Sequence, residues 1–178
     1  VGDVENAYYI ESLRQLAFEE GAGSTCFVAL TYVLQPPALG EQKSKAAQLG
    51  IKQLLESGIQ PHIIACRAIQ PVTNKVREKI ALYSSVPFNR VFSMHDRESI
   101  YVIPEMIREA GLDKAVVDIL GIGDRVHLEA EDKAQTIWKD YLERLRTSSQ
   151  KVTIGIAGKY TSVRDSYASV IKALEHSG

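Results

Sequence analysis

Pro61-His62-Ile63-Ile64-Ala65-Cys66 is a short, almost continuously apolar run with no alternation of apolar and polar side chains. A strand with one face in water alternates, whereas a strand covered on both faces does not. The run therefore has the character of a strand inside a parallel sheet. Thr25–Val33, Arg90–Met94 and Val152–Ala157 share that character. Helical patterns lie between these runs. Glu5–Glu20 places Ile10, Leu13 and Ala17 on one face and stops at Gly21-Ala22-Gly23. Lys45–Glu56 carries Ala47, Ile51, Leu54 and Leu55, with Gly58 as its C-terminal stop. Lys75–Tyr83 carries Val76, Ile80 and Tyr83, while Pro104–Ala110 opens on a proline and closes before Gly111. Strand and helix alternate, so residues 1–111 predict part of an α/β unit with a mainly parallel sheet.

Beyond Gly111 the pattern changes. Leu112–Leu145 contains no strand pattern, and its second half is one amphipathic helix through Trp138, Tyr141, Leu142 and Leu145. Arg146-Thr-Ser-Ser-Gln-Lys151 is polar and predicts a linker. Val152 then opens a fresh strand, followed by Gly158-Lys159-Tyr160 and a helix through Val170, Ile171 and Leu174. One strand and one helix cannot bury both their faces, so residues 152–178 are expected to begin a further domain. The first residue is Val1, not methionine, and the last are Ser177-Gly178, so a fragment is expected. An incomplete parallel sheet exposes edges and an apolar face, which predicts poor solubility.

Composition removes several function classes. Apolar residues are 45% of the 178 and charged residues 24%, enough for a core and a solvated surface. Lys+Arg 21 against Asp+Glu 22 leaves a net charge of −1, against a general nucleic-acid binder. The longest nearly apolar stretch, Cys26–Leu34, contains Thr31 and is too short to span a bilayer. Cys26 and Cys66 both sit in apolar runs and read as buried thiols of a reducing compartment. His62, His95, His127 and His176 have no metal-ligand spacing. Gly155-Ile-Ala-Gly158-Lys159 fails as a phosphate loop because Thr153 stands where the first glycine belongs and Tyr160 replaces the Ser/Thr.

Four segments could carry chemistry. In Gly40-Glu-Gln-Lys43-Ser44-Lys45-Ala46-Ala47-Gln48, Ser44 can cap the helix that follows, leaving an anion-binding N-terminus beside Lys43 and Lys45. Cations at a helix N-terminus cost about 0.3–1 kcal/mol through the dipole. Two lysines there run against local preference and lean toward an anionic ligand; the plain alternative is a solvated first turn. Lys79 stands one turn into the next helix, as a second basic site or a surface lysine. His95-Asp96-Arg97 follows a strand end, where open α/β sheets bind ligands, and also fits an ordinary turn. Asp3-Val4-Glu5 places two acids at a helix start, as plain cap chemistry does.

Taken together, Val1-Gly-Asp-Val-Glu5, Gly40–Gln48, Lys79-Ile-Ala-Leu82 and Ser99-Ile-Tyr-Val-Ile-Pro104 resemble the CTP synthase family in order and spacing. Ser57-Gly-Ile-Gln-Pro61, Cys66-Arg67 and Val152-Thr-Ile-Gly-Ile-Ala-Gly-Lys-Tyr160 fit as well. The resemblance covers essentially the whole chain. It implies a partial P-loop-type, dethiobiotin-synthetase-like sheet over 1–111, a helical interdomain linker over 112–151, and the first strand and helix of a glutamine amidotransferase domain over 152–178. The implied activity is ATP-dependent amination of UTP to CTP with glutamine-derived ammonia, in a cytoplasmic homotetramer activated by GTP and feedback-bound by CTP. Asp3, Val4, Glu5, Lys43, Ser44, Lys45, Ala46, Ala47, Gln48 and Lys79 would bind UTP or CTP, and His95, Asp96 and Arg97 would face the adenine of ATP. Magnesium would accompany ATP. The family's phosphate loop, its metal-binding acids and its glutaminase nucleophile match no segment here, so this piece by itself is expected to be inactive. No nucleic-acid or membrane partner is implied. The family usually has Lys-Thr-Lys-Pro-Thr-Gln where this chain has Lys43-Ser-Lys-Ala-Ala-Gln48, and lysine is common where His95 stands. A non-catalytic pyrimidine-triphosphate-binding or interaction module, and an unrelated α/β domain, are the competing readings.

Overall fold

The computed structural model describes residues 3–36, 40–160 and 162–178. Its centre is a three-stranded parallel sheet in the order β1 (Val28–Tyr32), β2 (Ile63–Ala68), β3 (Val91–His95). The chain crosses from β1 to β2 through α2 (Lys45–Glu56) and from β2 to β3 through α3 (Asn74–Ser84). A helix α1 (Ala7–Glu20) precedes the sheet, entered through a single 3-10 turn at Val4–Asn6. After it come α4 (Ile103–Ala110), α5 (Leu112–Leu120), α6 (Leu128–Thr147) and α7 (Ala168–Ser177). The chain is α/β, as the alternation of runs predicts.

β2 is buried at every position except Arg67. Alternate side chains point to opposite faces, and one face carries Ile64, Cys66 and Ala68. With Val91 of β3 these pack on Ala47 and Ile51 of α2 and on Val76 and Ile80 of α3. The other face carries Ile63 and Ala65, both buried. Its neighbours in register on β1 are Val28, Leu30 and Tyr32, and Leu30 is 72% exposed. That row of β1 is uncovered among the described residues. On the far side α4 packs against β3, with Val102 and Met106 buried. Tyr101, Trp138 and Tyr141 join in an aromatic cluster, and the Trp138 indole donates to the Tyr101 carbonyl at 2.9 Å.

Strand boundaries differ from the sequence expectation for identifiable reasons. The Phe27 carbonyl accepts from the His62 and Ile63 N–H groups, while the Phe27 N–H donates to His62 Nδ1 at 2.9 Å. Regular strand therefore starts at Val28 and not at Thr25. β2 runs past Cys66 because Arg67 can pair in the ladder while its guanidinium reaches Asp96. Cys66 is fully buried, and burial pushes its thiol up to about 12. Cys26, expected inside, is only half-buried.

Three other expectations are corrected. α1 buries none of its residues, so the Ile10, Leu13 and Ala17 face is not a core stripe. Helical periodicity requires a partner surface, and Leu13 remains 48% exposed. The pattern over 112–127 does not set α5 apart as a helix of its own; Gly111, at φ +77°, ends α4 and lets the next helix start at once. Val152–Ala157 has no strand geometry. A strand needs a ladder partner, and the described residues supply none to this run.

By compactness the chain divides into Val1–Leu142 and Glu143–Gly178, the division falling inside α6. Within the second unit the Tyr160 N–H donates to the Tyr167 hydroxyl at 3.3 Å, and any side chain at Gly158 would overlap that ring.

Replacing Ile64 by alanine should destabilise the chain by about 2–5 kcal/mol, read as a lower midpoint in urea unfolding with unchanged slope. An effect near zero would show that this face is not the core. Burial, aided by Arg90, lowers the His62 pKa from 6.5. The folded state therefore favours the neutral ring, whose Nδ1 accepts from Phe27, and the stabilisation is full above pH 6.5 and shrinks as pH falls below it. His62→Asn should reduce the loss of stability between neutral and mildly acidic pH; an unchanged pH slope would count against this role.

Candidate functional site

All three strands run parallel, so their carboxyl ends share one edge of the sheet, where open α/β sheets place their ligands. A cleft of about 900 Å³ opens there. One wall is the connection from β1 into α2: Gln35, Gly40, Glu41, Gln42, Lys43, Ser44, Lys45 and Gln48. The other is the connection from β2 into α3: Gln70, Pro71, Thr73, Lys75, Val76 and Lys79. Both helices present their N-termini at this edge, and neither the Ser44 nor the Thr73 side chain closes a capping bond. The first-turn N–H groups and the positive dipole ends thus add to the lysine charges.

The cations are unequally paired. Lys43 Nζ lies 2.6 Å from Glu41 Oε2. Lys45, Lys75 and Lys79 form no ion pair among the described residues. The Lys43 hydrogen bond holds the Glu41 carboxyl below the usual carboxylate range, with smaller contributions from Lys75 and Lys79. Glu41 is therefore a carboxylate paired with Lys43 and within the field of Lys75 and Lys79. The Gln35 Oε1 is buried beside the cleft with no hydrogen-bond partner among the described residues.

The sequence-derived residues divide by location. Lys43, Ser44, Lys45, Gln48 and Lys79 come together in the cleft. Ala46 and Ala47 lie in the first turn of α2, but the Ala47 side chain is fully buried in the core, so only its backbone faces the helix N-terminus. Asp3, Val4 and Glu5 are exposed around the 3-10 turn and do not line the cleft. His95, Asp96 and Arg97 leave the carboxyl end of β3 on the same edge, outside the cleft. Asp96 pairs with Arg67, and its N–H donates to Ala68 O at 2.9 Å. His95 Nδ1 lies 3.3 Å from Ser93 Oγ. Lys75 and Gln42 join the cleft without being among the sequence candidates. Lys75 precedes Lys79 by four residues, the spacing that puts two side chains on one helix face, and that signal was present. Gln42 gave no sequence signal, because its importance comes from partners about thirty residues away.

Among the described residues no group of three or more His, Cys, Asp or Glu could hold a metal ion. The ammonium groups of the cleft would repel one, so this donor set does not fit magnesium on its own. No helix among the described residues is long and apolar enough to cross a membrane.

The fold and cleft together define an open parallel α/β domain with a cationic pocket at its carboxyl edge. Residues 1–122 match the family model of the CTP synthase N-terminus. That is more than half of the chain, and the chain belongs to this family, a ligase family of pyrimidine biosynthesis.

Glu41→Gln should tighten binding of inorganic triphosphate by about two- to fivefold, since an incoming phosphate no longer competes with an exposed carboxylate. Titration calorimetry at low salt reads this directly; weaker binding by the variant would place the anion elsewhere.

Proposed function

We propose that the cleft holds the triphosphate of UTP or CTP, and that the complete protein aminates UTP to CTP at the expense of ATP, with ammonia from glutamine. The observation that carries the binding reading is the convergence of Lys43, Lys45, Lys75 and Lys79 with two helix N-termini in one cleft. A nucleoside triphosphate brings a charge of about −4, which such a set can balance without a metal of the protein's own. Gln48 stands in the same lining, where its amide can bond a ribose or base. Family membership supports the pyrimidine and the ligase chemistry.

Asp3, Val4 and Glu5 would complete the pyrimidine site, and His95, Asp96 and Arg97 would receive the adenine of ATP. Both triplets lie outside the cleft, and they would join their sites in a homotetramer whose nucleotide sites draw on more than one chain, the arrangement that the family resemblance implies. Magnesium would enter with ATP, GTP would act as activator, and the location would be cytoplasmic. Residues 152–178 would open the glutamine amidotransferase domain. This piece by itself would bind nucleotide without turning it over.

Thermal unfolding with magnesium and millimolar nucleotide tests the binding reading. UTP and CTP should raise Tm and GTP should not, and Lys79→Ala should remove most of the UTP shift. Equal shifts from all three would refute pyrimidine selectivity. Assay of the complete protein with UTP, ATP and glutamine then separates the enzyme from a binding module, since UTP binding without CTP formation would leave the module.

A further inference from the structure

The two walls of the cleft are carried by different connections, and a single side chain joins them. Gln42 is only 9% exposed, although it sits next to Lys43 in a polar segment. Its Oε1 accepts from the Thr73 N–H at 2.9 Å. Its Nε2 donates to the Pro71 carbonyl at 2.8 Å and lies 3.5 Å from that of Gln70. Every hydrogen bond between the two walls among the described residues comes from this amide.

Each wall is also fixed to the sheet. The Lys43 N–H donates to Leu34 O at 2.7 Å, which holds the first wall to the end of β1. The Val72 N–H donates to Ser93 Oγ at 2.9 Å, which holds the second wall to β3. Gln42 therefore bridges two anchored loops whose next residues are the lysines. Lys43 follows it directly, Lys45 stands two residues further on, and Thr73 precedes Lys75 and Lys79 of α3.

The bridge requires a glutamine. Glutamate could accept from Thr73 but could not donate to Pro71 when ionised, leucine could do neither, and asparagine is one methylene shorter. Losing one partner would leave a backbone group desolvated and unpaired, which favours a shift of the loops apart.

We propose that Gln42 is a positioning residue that sets the distance between Lys43 and Lys45 on one wall and Lys75 and Lys79 on the other. A polyphosphate long enough to touch both walls is thereby bound as one ligand. The proposal rests on the cleft being a triphosphate site. Its signature is dependence on phosphate number: a monophosphate reaches one wall and is indifferent to the spacing, whereas a triphosphate spans both.

The test is calorimetric titration of the full chain with UTP, UMP and inorganic triphosphate. The proteins are wild type, Gln42→Leu, Lys79→Ala and the double variant, each checked first for a cooperative melt. Gln42→Leu should weaken UTP and triphosphate about tenfold and change UMP little. In the double variant Lys79→Ala should add little further loss, because the contribution of Lys79 already depends on the spacing. Should Gln42→Leu fail to fold, Gln42→Asn gives the same contrast with the amide retained. Unaltered UTP binding, an equal loss for UMP, or losses that multiply independently in the double variant would each overturn the positioning role. Wild type that binds none of the three ligands would overturn the triphosphate reading itself, and the positioning role with it.

Discussion

The parallel ladder around β2 is the constraint on which the rest depends. A strand buried on both faces must have every backbone polar group paired within the sheet, because no water reaches it. β1 and β3 supply those pairs, from Val28 with Ile63 through to Ala68 with His95. Parallel pairing forces each connection to cross the length of the sheet, which is the work of α2 and α3. It also puts the carboxyl ends of all three strands on one side. The cleft is a consequence of that arrangement, since the loops leaving β1 and β2 emerge side by side and lead into neighbouring helices.

Charge placement at the cleft opposes local stability. Lysines in the first turn of a helix meet the positive end of its dipole, and both α2 and α3 carry them there. Lys43 finds an internal counter-charge in Glu41, while Lys45, Lys75 and Lys79 stand in no ion pair among the described residues. A bound polyanion would turn that local penalty into binding energy. The buried amide of Gln42 keeps the two cationic walls together without neutralising either, because it is uncharged and uses both its donor and its acceptor.

The uncovered surfaces follow from the same sheet. Among the described residues β1 pairs on one edge only, and its Val28, Leu30 and Tyr32 row is exposed beside the packed Ile63 and Ala65. α1 buries none of its residues, with Tyr8 80% and Phe18 85% accessible. Apolar periodicity in sequence shows that a surface is suited to burial; it does not show that a partner is present. That distinction explains both α1 and Val152–Ala157. Each has the composition of a packed element, and among the described residues each lacks the neighbour that would make it one.

The sequence by itself determined the fold class, because unbroken apolar runs separated by helical patterns are compatible with few architectures besides a two-faced parallel sheet. It also located Gly58 and Gly111 as helix stops, Lys43, Ser44 and Lys45 as a candidate anion site, and Lys79 as a second basic site or a surface lysine, since caps, dipoles and charge are local properties; binding of UTP or CTP by Gln48 and Lys79 rests on the family resemblance. Tertiary structure decided what is not local. It brought Lys79 into the same cleft as Lys45, added Lys75, and left His95–Arg97 at the sheet edge outside the lining. It turned the side chain of Ala47 into the core and gave Gln42 partners on the other wall. A hydrogen bond or a burial between residues about thirty positions apart has no signature in the spacing of either. Only the folded sheet, by fixing where each loop emerges, makes those residues neighbours.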